Sequence, residues 1–236
     1  VPPEGLQAAL RGAAALGFGG LNLTVPHKVH ALAGCDALGE EARRIGAVNT
    51  VCFEGGRIVG HNTDGRGFAA AARALGVGAV RSAMVLGAGG ASYAVLDAIA
   101  SELLGPGGQV RWVSRDPAPR TTLGGQVAMI GYAQIEGGPP VDLLVNCTTV
   151  GMAHGPAGFP AALEAIVGAL APGAAVIDIV YPRPAGGLLD RAAAAGAAVQ
   201  DGREMLLWQG VFAEELWLGR GLGAEVVAAM RAALGA

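Results

Sequence analysis

The stretch Ser82–Ser92, SAMVLGAGGAS, decides the fold of this 236-residue chain. It opens with a short apolar run, as in a strand buried on both faces, and a glycine-rich turn then leads into a helical pattern. Glycines at this junction let backbone N–H groups approach a phosphate, which the positive end of the next helix also favours. The stretch therefore predicts a pyrophosphate-binding loop, although a glycine turn without a ligand is the alternative. The predicted binding residues are Gly87, Ala88, Gly89, Gly90 and Ala91.

Apolar strands keep alternating with other segments beyond this stretch. The runs QVRWV, VDLLVN and AAVIDIV occupy residues 109–113, 141–146 and 174–180. Continuous apolar strands separated by helical or loop segments predict a parallel sheet covered by helices. The tail sequences REMLLWQGVFAEELWLG and GAEVVAAMRAALG each have the apolar spacing of an amphipathic helix.

The first 78 residues follow a different pattern. A helix that contains Leu6 and Leu10 precedes a strand at residues 20–25, and a β-hairpin turns at Glu54–Gly56. Asp64 is expected to cap the next helix. We therefore predict an α/β protein of two domains. The first is an open α/β domain at residues 1–78, completed by C-terminal helices at 205–236, and the second is a Rossmann-like domain at 79–204.

The strand after the glycine loop ends in Ser114-Arg115-Asp116, and Arg120 follows. At this position an acidic residue favours the ribose hydroxyl of NAD, whereas an arginine favours the extra phosphate of NADP. Because Arg115 comes first, we predict NADP, with NAD as the alternative that Asp116 supports. A surface Arg–Asp turn without a ligand would have the same sequence.

Polar clusters end the predicted strands of the first domain, at Asn22/Thr24/Lys28, Asn49-Thr50 and Asn62–Asp64. Each cluster alone is also typical of an ordinary turn. Together they predict a site that binds a hydroxylated substrate, in which Lys28 and Asp64 form an acid–base pair. Reduction of a ketone by a hydride-carrying cofactor needs such a proton donor.

Composition excludes several classes of function. The net charge is −3 and the chain has no long run of Lys or Arg, so we expect no nucleic-acid partner. No apolar run is long enough to cross a membrane. Neither the three cysteines nor the four histidines have the spacing of a metal site, so we predict no metal and a cytoplasmic, reduced protein. We expect a small-molecule substrate and a monomer or homodimer.

Seven motifs in order make this chain resemble the shikimate dehydrogenase family. The motifs are GLNLTVPHK, GAVNT, NTDG, LGAGGAS, NCTTVGM, DIVY and DGREMLLWQ. The resemblance implies NADP-dependent reduction of 3-dehydroshikimate to shikimate in a cleft between two domains. It also implies that Lys28 and Asp64 are catalytic, and that the substrate is bound by Asn22, Thr24, Asn49, Tyr181 and Gln209. Further cofactor contacts are implied for Ser114, Arg115, Asp116, Arg120, Thr148, Ile179, Gly202 and Met205.

Some positions depart from the family pattern. The family's paired serines near the N-terminus have no counterpart, and we expect a preceding strand–helix piece in a longer protein. Ser114-Arg115-Asp116 stands where the family usually has asparagine-arginine-threonine. Two alternatives therefore stay open: a quinate/shikimate dehydrogenase that prefers NAD, and a non-catalytic module that binds shikimate.

Overall fold

The computed structural model describes residues 1–117, 124–152, 154–182 and 185–235. In these ranges the chain forms a four-stranded sheet from residues 20–61 and a six-stranded sheet from residues 80–200. Helices pack against both sheets, which confirms the predicted α/β class. No helix in the described ranges is both long enough and apolar enough to cross a membrane.

The four-stranded sheet consists of β1 (Gly20–Asn22), β2 (Ala37–Leu38), β3 (Thr50–Glu54) and β4 (Arg57–His61). Its order is β1-β3-β4-β2, in which β3 is antiparallel to both neighbours and β2 is parallel to β4. The predicted hairpin is confirmed. Gly55 and Gly56 connect β3 to β4 with positive φ angles of 55° and 78°, as a tight two-residue turn requires.

Three helices accompany this small sheet: α1 (Leu6–Ala15), α2 (His27–His30) and α3 (Glu40–Ile45). Leu6 and Leu10 of α1 pack with Val51 and Ile58 in the core on one face of the sheet. The strand predicted at residues 20–25 is shorter than expected. It ends at Asn22 because the chain turns, with the His27 N–H donating to the Thr24 carbonyl at 2.8 Å, and then enters α2.

The six-stranded sheet is entirely parallel and has the order β10-β9-β8-β5-β6-β7. Its strands are β5 (Val80–Leu86), β6 (Leu104–Ser114), β7 (Val127–Gly131), β8 (Val141–Asn146), β9 (Leu170–Asp178) and β10 (Ala198–Gln200). Alternate residues of the central strand β5 enter two different cores. Val85 packs in one core and Met84 in the other, so the sheet is buried on both faces as the apolar runs predict.

The helices of this second region are α5 (Gly90–Ala98), α6 (Leu163–Gly168) and α7 (Leu188–Ala194). The remaining helices are α4 (Asp64–Ala74), α8 (Arg203–Leu218) and α9 (Ala224–Leu234). α4 packs against α5 on one side and against α8 on the other.

The C-terminal helices return to the first part of the chain, as predicted. A Cβ atom on Gly67 of α4 would lie 2.8 Å from the backbone nitrogen of Gln209, so the close contact between α4 and α8 requires glycine. Trp217 of α8 donates its indole N–H to the Val51 carbonyl at 2.9 Å, which ties α8 to the small sheet. The exact domain boundaries remain a prediction.

Candidate active site

A cleft of about 460 Å³, here called the polar cleft, is lined by residues from both parts of the chain. The small sheet and its loops contribute Asn22, Thr24 and Lys28, and α4 contributes its first residue, Asp64. The other wall contains Tyr181 and residues of α5 and α8. The polar cleft therefore brings together most of the side chains that the sequence predicts for substrate binding and proton transfer.

Lys28 and Asp64 form a short ion pair in the polar cleft. The distance from Lys28 Nζ to Asp64 Oδ2 is 2.6 Å, and the side chains are 23% and 10% exposed. Lys28 lies on α2, just after the turn that ends β1, and Asp64 begins α4. The ammonium group therefore remains accessible to a bound molecule while the carboxylate holds it in place. This arrangement suits a proton donor to a substrate oxygen.

One buried amide holds the carboxylate of Asp64, and a second accepts a hydrogen bond from its backbone. Asn49 Nδ2 donates to Asp64 Oδ1 at 2.9 Å, and the Asp64 N–H donates to Asn62 Oδ1 at 3.0 Å. Asp64 was predicted to cap α4, but Thr63 occupies the N-cap position and has no side-chain capping bond. The Asp64 side chain instead bridges Asn49 and Lys28. This bridge orients the carboxylate toward the polar cleft.

Asn49 was predicted to bind the substrate, but it does not line the polar cleft. It is only 2% exposed, and its Oδ1 accepts hydrogen bonds from the Thr63 N–H at 2.8 Å and the Thr50 hydroxyl at 2.9 Å. Its Nδ2 donates to Thr63 Oγ1 at 3.0 Å as well as to Asp64. Both the oxygen and the nitrogen of the Asn49 amide are therefore hydrogen-bonded within the protein, which places Asn49 to position Asp64.

The other predicted substrate ligands do line the polar cleft. Asn22 is exposed at the end of β1, and its Nδ2 donates to Thr50 Oγ1 at 3.1 Å. Thr24 is exposed, and Tyr181 is 45% exposed. Gln209 lies on α8, where its Nε2 donates to the Leu206 carbonyl at 3.0 Å. These amide and hydroxyl groups can hydrogen-bond a polyhydroxylated ring.

A second cleft of about 410 Å³, here called the loop cleft, lies at the glycine loop. Its lining includes several of the predicted cofactor residues, namely Gly87, Ala88, Gly89, Ser114, Arg115 and Thr148. Gly87 has a φ angle of 100°, and a Cβ atom there would lie 3.0 Å from the Cys147 carbonyl group. The loop therefore needs glycine at this position, and its shape leaves room for a phosphate group against the backbone.

The remaining predicted cofactor residues that the structure describes do not line the loop cleft. Ala91, Ile179, Gly202 and Met205 line the polar cleft rather than the loop cleft. Gly90 begins α5 but lines neither cleft, and Asp116 is exposed, with its N–H donating to Ser114 Oγ at 3.2 Å. Arg120 lies outside the described residues. The placement of these groups fits a dinucleotide that runs from the loop cleft to the polar cleft.

Three aromatic residues for which no role was predicted lie at or next to the loop cleft. Trp112 of β6 is buried, and its indole N–H donates to the Gly87 carbonyl at 2.7 Å. Tyr93 packs edge-on against Trp112, with 5.1 Å between ring centroids. Tyr132 also lines the loop cleft; burial raises the pKa of its phenol, and the charge of Arg115 opposes that rise. Nothing in the local sequence distinguishes these aromatics from ordinary core residues.

A buried pair of polar residues holds Thr148 in the loop cleft. Asn146, at the end of β8, accepts hydrogen bonds from the Thr148 N–H at 3.0 Å and its hydroxyl at 2.7 Å. Asn146 Nδ2 in turn donates to Asp178 Oδ1 at 2.8 Å, at the end of β9. In the sequence, Asn146 ends one apolar run and Asp178 interrupts another, which could have marked both as functional residues. No role was predicted for either.

Burial raises the pKa of Asp178 to about 6, and the nearby carboxylate of Asp201 adds to this effect. Hydrogen bonds from the Val180 N–H and from Asn146 oppose the rise. Asp178 is only 3% exposed, so desolvation of its charged form is the dominant cause.

The chain is similar to known proteins over nearly all its length. The family model of the shikimate dehydrogenase substrate binding domain matches residues 1–51. A curated relative, shikimate dehydrogenase (NADP(+)) of Gluconobacter oxydans, is 43% identical over 221 residues, which cover 92% of this chain and 77% of the relative.

Solved structures show the same relationship. Shikimate 5-dehydrogenase from Thermus thermophilus, in complex with NADP(H) and shikimate, is 36% identical with a TM-score of 0.82, covering 99% of this chain and 85% of that one. Quinate dehydrogenase from Corynebacterium glutamicum, in complex with NAD, is 31% identical with a TM-score of 0.81, covering 96% and 80%. On the identity and coverage of these relatives, the chain belongs to the shikimate dehydrogenase family.

Proposed function

We propose that this protein catalyses the reversible, NADP-dependent reduction of 3-dehydroshikimate to shikimate. The observation that carries the proposal is the 2.6 Å contact between Lys28 Nζ and Asp64 Oδ2 in a cleft lined with amides and hydroxyls. The similarity to the NADP-dependent dehydrogenase of Gluconobacter oxydans supports the same reaction. The Lys28–Asp64 pair in the polar cleft and the family to which the chain belongs thus point to the same reaction.

Lys28 acts as the proton donor in this proposal. When bound, NADPH supplies a hydride to the ketone carbon. The ammonium group of Lys28 donates a proton to the ketone oxygen, and in the oxidation direction the neutral amine accepts a proton from the substrate hydroxyl. Asp64 keeps the ammonium group oriented toward the substrate, and Asn49 keeps Asp64 in position. Asn22, Thr24, Tyr181 and Gln209 bind the hydroxyl and carboxylate groups of the ring.

Arg115 is the proposed determinant of cofactor choice. It lines the loop cleft beside Ser114, at the end of β6, where the adenosine ribose of a dinucleotide would lie. Its guanidinium group can bind a 2′-phosphate by two parallel hydrogen bonds. Ala91, Ile179, Gly202 and Met205, which line the polar cleft, would contact the nicotinamide end. Residues 79–204 would then form the dinucleotide-binding domain, and residues 1–78 with 205–236 the substrate domain.

A quinate dehydrogenase that prefers NAD is the second candidate. Asp116, next to Arg115, is the observation that favours it, because a carboxylate can accept a hydrogen bond from a ribose hydroxyl but repels a phosphate. The structural similarity to the quinate dehydrogenase of Corynebacterium glutamicum is compatible with this candidate.

Initial rates with shikimate and quinate, each with NADP⁺ and NAD⁺, test both candidates. We expect kcat/KM to be highest for shikimate with NADP⁺, by at least about tenfold over shikimate with NAD⁺, as one charge-assisted contact to the phosphate would give. A preference for quinate with NAD⁺ would favour the second candidate. Binding of shikimate without turnover under any of the four conditions would instead indicate a non-catalytic module.

A further inference from the structure

The β3–β4 hairpin brings three different metal-binding side chains together. In the hairpin register Thr50 pairs with His61 and Cys52 pairs with Val59. Because side chains alternate along a strand, Cys52, Glu54 and His61 all lie on the same face. Their potential ligand atoms, a sulfur, a carboxylate oxygen and an imidazole nitrogen, all lie within 4.8 Å of one another. The opposite face of the hairpin, which includes Val51, packs into the small core.

We propose that Cys52, Glu54 and His61 form a binding site for a divalent transition-metal ion of the zinc type. Thiolate and imidazole ligands suit Zn²⁺ and Co²⁺, whereas Mg²⁺ and Ca²⁺ require oxygen ligands. A thiolate and a carboxylate together carry two negative charges, which a divalent ion neutralises. The three side chains leave a fourth tetrahedral position for water.

The geometry needs only a small adjustment to hold such an ion. Bond lengths of about 2.0–2.3 Å place tetrahedral ligand atoms about 3.3–3.8 Å apart, somewhat closer than the 4.8 Å limit within which they lie. Glu54 can supply this movement because its side chain is long and exposed, whereas Cys52 is only 1% exposed and is fixed by its strand.

The imidazole of His61 lies against a glycine. A Cβ atom on Gly39 would lie 2.7 Å from His61 Nδ1, so a larger residue at position 39 would clash with the imidazole ring. His61 is half-buried and Glu54 is exposed, so an ion can reach the site from solvent.

The thiol of Cys52 holds its proton strongly when no ion is bound. Burial, with a smaller contribution from the charge of Glu54, raises its pKa to about 11. An ion that binds here must therefore displace this proton, since the thiolate is the ligand. Binding near neutral pH is expected to release about one proton per ion from Cys52.

The bound ion would join the two strands that carry the buried network around Asp64. Thr50, two residues before Cys52, donates its hydroxyl to Asn49 Oδ1 at 2.9 Å, and Asn62 follows His61 directly. The ligands at residues 52, 54 and 61 have none of the usual zinc spacings, so no metal site was predicted from the sequence. The cross-strand register, rather than the spacing along the chain, brings them together.

Cobalt titration of the whole, metal-free protein tests the proposal. We expect one Co²⁺ per chain, with a thiolate-to-cobalt charge-transfer absorption that disappears when Zn²⁺ displaces the cobalt. Cys52→Ala should abolish this absorption. It should also weaken Co²⁺ binding by at least about tenfold, because loss of even a residue that only hydrogen-bonds a metal ligand weakens metal binding by about ten- to a hundredfold. Glu54→Gln changes an exposed side chain, so it should fold normally and weaken binding while keeping the absorption.

Cys35→Ala is the matched control. Cys35 packs against the small core, its Sγ donates to the Ala31 carbonyl at 3.2 Å, and it lies against Gly60 on the face of the hairpin opposite the three ligands. This variant should bind Co²⁺ as the parent does, and so should a double variant in which His27 and His30 become Gln. The proposal is overturned if the parent shows no saturable binding. Unchanged binding in Cys52→Ala or Glu54→Gln, or loss of binding in the controls, would also overturn it.

Discussion

Replacement of Asn49 by Ala should reduce kcat far more than it raises KM. The amide of Asn49 holds Asp64 Oδ1 at 2.9 Å without lining the polar cleft. Its loss leaves Asp64 free to rotate, so the ammonium group of Lys28 loses its orientation toward the substrate. Because a misplacement of about 1 Å can cost about a hundredfold in rate, we expect kcat to fall by about ten- to a hundredfold. KM should stay within about threefold of the parent value, since the binding groups remain.

The same substitution should also lower the free energy of unfolding. The lost hydrogen bond to a charged carboxylate contributes about 1.5–3 kcal/mol, and a buried N–H left unpaired costs about 1–3 kcal/mol. Thr63, whose N–H donates to Asn49 Oδ1, is only 1% exposed, so water cannot easily replace the amide. We therefore expect a loss of roughly 3–5 kcal/mol, which a domain with about 5–15 kcal/mol of stability can survive.

Steady-state kinetics, together with urea unfolding of the same preparation, measure both effects. Asn22→Ala is the comparison variant, because Asn22 lines the polar cleft and its loss should mainly raise KM. If Asn49→Ala instead raised KM by tenfold or more with kcat nearly unchanged, Asn49 would bind the substrate directly. The positioning role derived from its buried hydrogen bonds would then be wrong.

Three further outcomes follow from the site. Lys28→Ala should lower kcat by about 10²–10⁴-fold with KM little changed, and Lys28→Arg should not restore it because arginine does not give up its proton; near-normal kcat in Lys28→Ala would exclude the proton-donor role. Arg115→Ala should weaken NADPH binding by about ten- to a hundredfold and leave NADH binding unaffected, whereas Asp116→Ala should not weaken NADPH binding. Equal losses for both cofactors in Arg115→Ala would contradict the role of Arg115 in binding the 2′-phosphate. Because the folded state raises the pKa of Asp178 from 3.8 to about 6, the free energy of unfolding should fall by up to about 3 kcal/mol as pH rises across this window. Asp178→Asn should remove this slope in pH-dependent urea unfolding, and an unchanged slope would show that another group causes it.

The sequence was sufficient for the large elements of the fold. The apolar runs that became β5, β8 and β9 could be recognised because strands buried on both faces are continuous in the sequence. The two-residue strand β2 and the three-residue strand β10 were not predicted. Such short segments carry too little periodicity, and only pairing with a neighbouring strand makes them strands.

Most of the side chains predicted for substrate binding and proton transfer lie together in the polar cleft, but their contacts were not all predicted. Lys28 and Asp64 were predicted as a pair because several polar clusters end the strands of the first domain and because the family resemblance implies a catalytic pair. The buried position of Asn49 was not predicted, because an Asn-Thr dipeptide has the same sequence whether its amide faces the cleft or the protein interior. The hairpin cluster around Cys52 also depends on side-chain placement across two strands, which local spacing does not reveal.

The indole of Trp112 gives this protein an internal optical reporter. Its N–H donates to the Gly87 carbonyl, so the fluorophore is bonded directly to the glycine loop. Emission from Trp112 should therefore change when a nucleotide settles on that loop, and the reduced nicotinamide should quench it by energy transfer. Trp208 and Trp217, which lie on α8, would contribute a background that is removed by replacing each with Phe. Ligand occupancy could then be followed in stopped-flow experiments without attaching any dye.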